Sequence, residues 1–123
     1  MSGSGVVDKK PLAVLPTVMS LNGYQRELTK FRKYPPDKTL EYCTIGLCSE
    51  AGEVADKVKK YIRGDAEFNR EGFLKELGDC LWYLAECATA VDAYLDDVAQ
   101  MNLDKLKKRL EENKIKGDGP DRG

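Results

Sequence analysis

The fold of this chain is decided by one long amphipathic segment, TLEYCTIGLCSEAGEVADKVKKYIRG at residues 39–64. Apolar residues recur along it every three to four positions, from Leu40 to Ile62, and form one broad stripe. Two prolines precede the segment, and Gly64 is a typical stop signal for a helix. We therefore predict a helix over residues 39–63, which spans about 37 Å at 1.5 Å per residue.

Three more helices are predicted around this one. The first begins after the N-cap candidate Ser20 and ends at the double proline. The third covers residues 71–94 and is apolar nearly all the way round, which is typical of a helix covered on more than one side. The fourth covers residues 96–113 and is capped by Asp96 or Asp97. No segment has the two-residue period of a strand, so the predicted class is all-α, a four-helix bundle completed by oligomerisation.

The length of 123 residues fits one domain with a modest core, since a chain of this size buries roughly two-thirds of its unfolded surface. We predict a flexible N-terminal arm at residues 1–19, a folded domain at residues 20–116 and a glycine-rich tail at residues 117–123.

The 20 basic and 21 acidic residues nearly cancel, so no overall field attracts nucleic acid or an anionic membrane. No apolar run approaches the roughly 20 residues of a membrane span, and the N-terminal stretch lacks the features of a signal peptide. We therefore expect a cytoplasmic protein. The chain has four cysteines, no CxxC pair and no histidine, so a zinc site is not expected. The thiols are predicted to be reduced and mostly core-facing.

Two acidic pairs lie on the predicted second and third helices. Glu50 and Glu53 are three residues apart, and so are Glu76 and Asp79, which places each pair on one helix face. Antiparallel neighbours can bring all four carboxylates together, where like charges raise one another's pKa unless a cation lies between them. A hard divalent cation such as Mg²⁺, with Mn²⁺ as a substitute, prefers these oxygen ligands. The alternative is that both pairs only form solvated helix faces.

Glycines lie inside both acidic pairs, Gly52 in the first and Gly78 in the second. Each costs about 1 kcal/mol relative to alanine in a helix interior. We interpret them as positions of close approach by a helix or a ligand, although glycine is also common in helices as a mere packing residue.

Three stretches, SEAGEVADKVKK, KELGDCLWYL and MNLDKLKKR, resemble the MazG-type all-α nucleotide pyrophosphohydrolases. The mark of this family is an ExxE pair followed, after a spacer, by ExxD, and here 22 residues separate Glu53 from Glu76. The resemblance covers residues 21–122 and favours the single-domain type found in phages and mobile elements. It implies that a (deoxy)nucleoside triphosphate is hydrolysed to monophosphate and pyrophosphate for nucleotide-pool control. The Mg²⁺ would be held by Glu50, Glu53, Glu76 and Asp79, of which Glu50 is favoured to orient or deprotonate the attacking water.

The resemblance also implies a homodimer or homotetramer and a set of substrate-binding residues beyond the acidic pairs. They are Lys57, Asn102, Lys105, Arg109, Arg122 and Trp82. The three on the fourth helix share one face by their spacing and match a family segment that closes over the nucleotide. By contrast, Gln25 and Lys108 are expected at the protein surface.

Other interpretations stay open for several of these residues. Lys57 can instead form an ion pair with Glu53 in its own helix. Arg122 can belong to a frayed chain end. Trp82 and its neighbour Tyr83 either stack on a base or pack in the core or at an interface.

The main alternative function is a non-enzymatic helical binding or scaffold module with a surface acidic or regulatory metal site. No EF-hand loop is present in the sequence. A di-iron carboxylate bundle normally uses Glu-x-x-His pairs, which a chain without histidine cannot supply. A nucleic-acid-binding bundle would need a basic face that this near-neutral composition does not favour.

Overall fold

The computed structural model describes residues 19–116, with side chains up to residue 113, and this range contains four α-helices and no strand. The helices are α1 (Leu21–Glu27), α2 (Thr39–Arg63), α3 (Arg70–Ala90) and α4 (Leu95–Lys116). Short 3₁₀ turns, Leu28–Phe31 and Pro36–Lys38, lie between α1 and α2. The predicted all-α class with four helices is confirmed. The tail with Arg122, and the predicted arm up to residue 18, lie outside the described residues.

Helix α2 has the bounds that its apolar stripe predicts. It ends because Gly64 adopts a left-handed φ of 85°, which glycine tolerates without strain. The Gly64 N–H donates to the Tyr61 carbonyl at 3.1 Å, and the Asp65 N–H donates to the Lys60 carbonyl at 3.0 Å. These bonds satisfy carbonyls that the last turn would otherwise leave unpaired.

The first helix is shorter than predicted. Ser20 caps it as expected, since its Oγ accepts a hydrogen bond from the Gly23 N–H at 2.9 Å. After seven residues the α-helix tightens into the 3₁₀ turn Leu28–Phe31. Residues 32–35 then connect this turn to the 3₁₀ turn Pro36–Lys38 without helical structure.

Helix α3 begins and ends earlier than predicted. Asn69 caps its start by accepting a hydrogen bond from the Gly72 N–H at 3.0 Å. It ends at Ala90 rather than at residue 94, because the chain reverses at Asp92, which has a φ of 59°. Aspartate is one of the few residues besides glycine that adopt this left-handed conformation readily.

The start of α4 is capped from a distant part of the chain. The Leu95 N–H donates to the Gln25 Oε1 at 2.7 Å, and the Asp96 N–H donates to the Asn22 Oδ1 at 2.9 Å. The prediction that Asp96 or Asp97 caps this helix is wrong, because both lie inside its first turn. There their negative charges interact favourably with the positive N-terminal end of the helix dipole.

The expectation that Gln25 is exposed is also wrong. Its side chain is buried, and its Nε2 donates to the Thr89 Oγ1 at 2.9 Å and to the Ala93 carbonyl at 3.0 Å. Together with the Leu95 contact, these bonds satisfy both ends of the carboxamide. Gln25 therefore joins α1 to the α3–α4 turn.

Helices α2 and α3 form a helical hairpin, and α1 and α4 pack against α3. The buried core consists of Leu28, Ala85 and Leu95, with Tyr24, Leu81 and Trp82 packed against it. Helix α3 thus contacts each of the other three helices, although Leu74, Leu77 and Leu84 on it remain exposed.

A charged network lies beside this core. The Glu86 side chain is fully buried on α3 and accepts hydrogen bonds from the Arg32 Nε at 2.5 Å and the Arg32 Nη2 at 3.2 Å. The Tyr34 hydroxyl donates to the same carboxylate. Since a buried charge is tolerated only when it is paired and hydrogen-bonded, these contacts fix residues 32–34 against α3.

The cysteines are all free, and only part of the prediction for them holds. Cys43 is buried and Cys80 and Cys87 are half-buried, whereas Cys48 is exposed on α2. Within residues 19–116, no helix combines the length and the apolar character that a bilayer crossing requires.

Replacing Arg32 by methionine is expected to lower the free energy of unfolding by about 3–5 kcal/mol, because the Glu86 carboxylate stays buried without its cation. Urea denaturation measures this loss. Lys30→Met is the matched control, since Lys30 pairs with Glu27 at 2.8 Å on the exposed surface. Its urea midpoint should stay close to that of the wild type. Similar losses in both variants would contradict the role assigned to Glu86.

Candidate active site

Three carboxylates from two helices converge on the α2–α3 hairpin. Glu50 comes from α2, and Glu76 and Asp79 come from successive turns of α3. One oxygen from each lies within 4.8 Å of the others. Glu50 and Glu76 are half-buried, while Asp79 is exposed. The predicted convergence of the two acidic pairs is therefore observed for three of the four residues.

The electrostatics of this cluster are those of like charges held close together. Burial, followed by the neighbouring charges of Asp79 and Glu76, raises the pKa of the Glu50 carboxyl above its usual value. The pKa of the adjacent Cys80 thiol is also raised, first by burial and then by Glu50 and Asp79. The thiol therefore stays protonated, and the donors of the cluster are oxygens alone. Such a donor set fits Mg²⁺ or Mn²⁺.

Glu53 is the fourth acid of the predicted set and does not join this cluster. Its side chain is exposed, and the described groups that converge are Glu50, Glu76 and Asp79. Its charge still acts on the site, because it is one of the like charges that raise the pKa of Glu50, after Asp79 and Glu76.

Lys57 faces the cluster from α2. Its Nζ lies 3.9 Å from the Glu76 Oε2, so the ion pair crosses the hairpin instead of joining Glu53 in the same helix. Lys57 thus places one positive charge at the edge of the three carboxylates.

A cavity of about 380 Å³ opens directly beside the carboxylates. It is lined by Glu50, Asp79, Trp82 and Tyr83. Trp82 lines this cavity and also packs against the core, so its packing role is observed while stacking on a base stays a prediction. The cavity therefore combines an acidic side, which suits a cation, with an aromatic side, which suits an apolar or ring-shaped group.

The predicted binding residues of α4 lie elsewhere in the monomer. Asn102 and Lys105 are exposed and Arg109 is half-buried, and none of them is among the described residues that line the cavity. Helix α4 packs mainly against α1 and α3. Lys108 is exposed, as expected.

A larger cavity, of about 570 Å³, lies between α1 and the α3–α4 turn, away from the carboxylates. Its walls include Gln25, Arg32 and Thr89. These groups are already engaged, Gln25 with Thr89 and Arg32 with Glu86. The cavity therefore lies over the contacts that hold α1 in place.

One glycine that the sequence analysis did not single out shapes the aromatic side of the site. A Cβ at Gly46 would lie 2.3 Å from the Tyr83 ring, so this ring rests directly on the backbone of α2. By contrast, nothing lies within 4 Å of a Cβ built at Gly52 or Gly78. The interpretation of those two glycines as contacts between helices is wrong for the described monomer.

The helical hairpin and its oxygen-only carboxylate cluster define an all-α protein with a candidate divalent-metal site. A family model of the MazG nucleotide pyrophosphohydrolase domain matches residues 38–113. The Gene 37 protein of Mycobacterium phage L5 is 44% identical over 87 residues, which cover 68% of this chain and 76% of the relative. No solved structure matches the chain. This chain belongs to the MazG nucleotide pyrophosphohydrolase family, which confirms the resemblance seen in its motifs.

Substituting Gly46 with alanine is expected to destabilise the metal-free protein by about 1–3 kcal/mol, because the new methyl group must displace the Tyr83 ring. Gly52→Ala is the matched control on the same helix. It meets no neighbouring atom and should stabilise the protein by about 1 kcal/mol through helix propensity. Denaturant unfolding compares the two variants, and a Gly46→Ala variant as stable as Gly52→Ala would refute the close contact.

Proposed function

We propose that this protein is a Mg²⁺-dependent nucleoside triphosphate pyrophosphohydrolase, a hydrolase acting on an acid anhydride. It converts a (deoxy)nucleoside triphosphate to the monophosphate and pyrophosphate and thereby controls a nucleotide pool in the cytoplasm. The observation that carries the proposal is the convergence of Glu50, Glu76 and Asp79 within 4.8 Å inside a MazG domain.

The metal is assigned to the carboxylates of this cluster. Glu50, Glu76 and Asp79 would hold it, and Mn²⁺ can replace Mg²⁺ because both prefer oxygen ligands. When bound, the cation supplies charge neutralisation at the triphosphate. The family motif adds Glu53, whose exposed carboxylate is free to turn toward a cation that arrives with the nucleotide.

Within this site we assign Glu50 to orient or deprotonate the attacking water. It lines the cavity together with Asp79, and it is more buried than Asp79, which suits a base that must hold one water in a fixed direction. Lys57, beside Glu76, is assigned to a phosphate oxygen. Trp82 is assigned to the base, because its ring lines the same cavity and offers a stacking surface.

The α4 residues Asn102, Lys105 and Arg109 are assigned to the nucleotide through a second copy of the chain. They do not line the cavity of their own monomer, and α4 exposes apolar side chains on both sides of them. This apolar surface of α4 consists of Val98, Met101, Leu103, Leu106 and Leu110, with exposed fractions from 43% to 71%. Burial of this surface in a homodimer or homotetramer would stabilise the assembly and bring α4 to a partner's site. We also assign Arg122 to the nucleotide.

With Mg²⁺ present, the protein should convert a nucleoside triphosphate to monophosphate and pyrophosphate without a free diphosphate. A panel of ribo- and deoxynucleoside triphosphates with pyrophosphate detection measures this reaction and identifies the preferred base and sugar. In ¹⁸O-labelled water the label should enter the monophosphate, because attack is expected at the α phosphorus. Release of orthophosphate with a nucleoside diphosphate would contradict the proposed reaction. If no triphosphate is hydrolysed, a non-enzymatic binding module is favoured instead.

Asp79→Asn and Glu53→Gln should each reduce turnover by on the order of 100-fold or more, since loss of a metal ligand removes several kcal/mol of transition-state stabilisation. Asp79→Asn should also abolish the rise in melting temperature that Mg²⁺ causes in the wild type, while its metal-free fold stays at least as stable because one like charge is gone. Asp56→Asn is the control on α2, because Asp56 pairs with Lys60 at 2.8 Å on the surface. Chelation should abolish wild-type turnover and added Mg²⁺ should restore it.

The protein should have at least the mass of a dimer in light scattering at micromolar concentration. Met101→Glu places a charge on the apolar surface of α4 and should therefore shift the mass toward that of the monomer. A wild-type monomer would contradict the proposed assembly and the role given to α4 in it, but it would not contradict the proposed reaction.

A further inference from the structure

The aromatic side chains next to the cavity form one continuous series of contacts. The Tyr34 ring meets Trp82 edge-on, with centroids 6.2 Å apart and an angle of 85° between the rings. Trp82 meets Tyr83 in the same manner at 4.8 Å and 87°. On its other side Tyr34 stacks on Tyr42 at 5.0 Å. Trp82 is therefore in contact with two tyrosine rings, of which only Tyr83 lines the cavity with it.

Both of these tyrosine rings are fixed by the scaffold. Tyr83 rests on the α2 backbone at Gly46. Tyr34 is fixed at two points: its ring stacks on Tyr42, and its hydroxyl donates to the buried Glu86 carboxylate that Arg32 also contacts. Burial, followed by the hydrogen bond to Glu86, raises the pKa of Tyr34, so its hydroxyl stays a donor throughout the neutral range.

We propose that Tyr34 is a positioning residue of the nucleotide site: its ring, packed between Tyr42 and Trp82, holds the Trp82 indole against the cavity. Tyr34 is not among the described residues that line the cavity, so it acts through Trp82. The proposal rests on the proposed function, in which Trp82 is the surface on which the base stacks.

The two ends of the Tyr34 side chain have separable roles. The hydroxyl contacts Glu86 and contributes to stability, whereas the ring contacts Trp82 and sets the stacking surface. A phenylalanine at this position keeps the ring and removes the hydroxyl, and a leucine removes both. This pair of variants therefore separates a structural role from a positioning role.

Trp82 reports on its own position, since it is the one tryptophan of the sequence. Its emission maximum and its quenching by acrylamide should be measured in the full-length wild type, Tyr34→Phe and Tyr34→Leu without nucleotide or metal. Tyr34→Phe should keep the wild-type emission and quenching although its urea midpoint falls, because the edge contact remains. Tyr34→Leu should shift the emission to longer wavelength and increase quenching, because one side of the indole loses its cover.

Kinetics on the preferred triphosphate provide the second measurement. Tyr34→Leu should raise KM about three- to tenfold, the size expected for one lost aromatic edge contact, with kcat changed less than about twofold. The carboxylate cluster is not among the contacts of Tyr34, which is why kcat should be retained. Tyr34→Phe keeps the ring, so its KM should equal that of the wild type.

A Tyr34→Leu variant that folds and keeps the wild-type emission and KM would overturn the proposal, and so would equal changes in the Phe and Leu variants. If Tyr34→Leu does not fold, Tyr34→Met replaces it. Failure of both to fold would make Tyr34 a core residue and also overturn the proposal. If the wild type hydrolyses no triphosphate, the proposed function fails, whereas the fluorescence comparison still decides whether Tyr34 positions Trp82.

Discussion

The buried carboxylate of Glu86 is the constraint on which the arrangement of this small protein depends. A carboxylate removed from water needs charged and hydrogen-bonding partners, and here Arg32 and Tyr34 supply them. Both partners belong to the segment between α1 and α2. That segment must therefore cross α3 at Glu86, which fixes where α2 begins relative to α3. The crossing and the extensive packing of α2 against α3 then act together to bring Glu50 to α3.

One face of α3 carries the site and its anchor on successive turns. Glu76 and Asp79 supply carboxylates, Trp82 and Tyr83 supply the aromatic side of the cavity, and Glu86 fixes the crossing segment. Because an α-helix repeats about every 3.6 residues, this order places acid, ring and anchor on the same side of α3. The geometry of the site is thus set by a single rigid element, and α2 completes it with Glu50 and the flat surface at Gly46.

The features that follow a local rule could be predicted from the sequence. The bounds of α2 follow from its apolar period and from Gly64, and the carboxylate cluster follows from the spacing of two acidic pairs on neighbouring helices. The features that depend on distant partners could not. Glu86 stands out as one acid in an apolar run, but its partner Arg32 is 54 residues away, and no spacing rule connects them.

The capping of α4 by Asn22 and Gln25 has a consequence for how the chain assembles. The α2–α3 hairpin is local in sequence, whereas the bond between Gln25 and Leu95 joins residues 70 positions apart and closes a long loop at an entropic cost. A seven-residue helix such as α1 is too short to be stable alone. The first turn of α4 and α1 therefore stabilise each other, because each leaves polar groups unpaired when the other is absent.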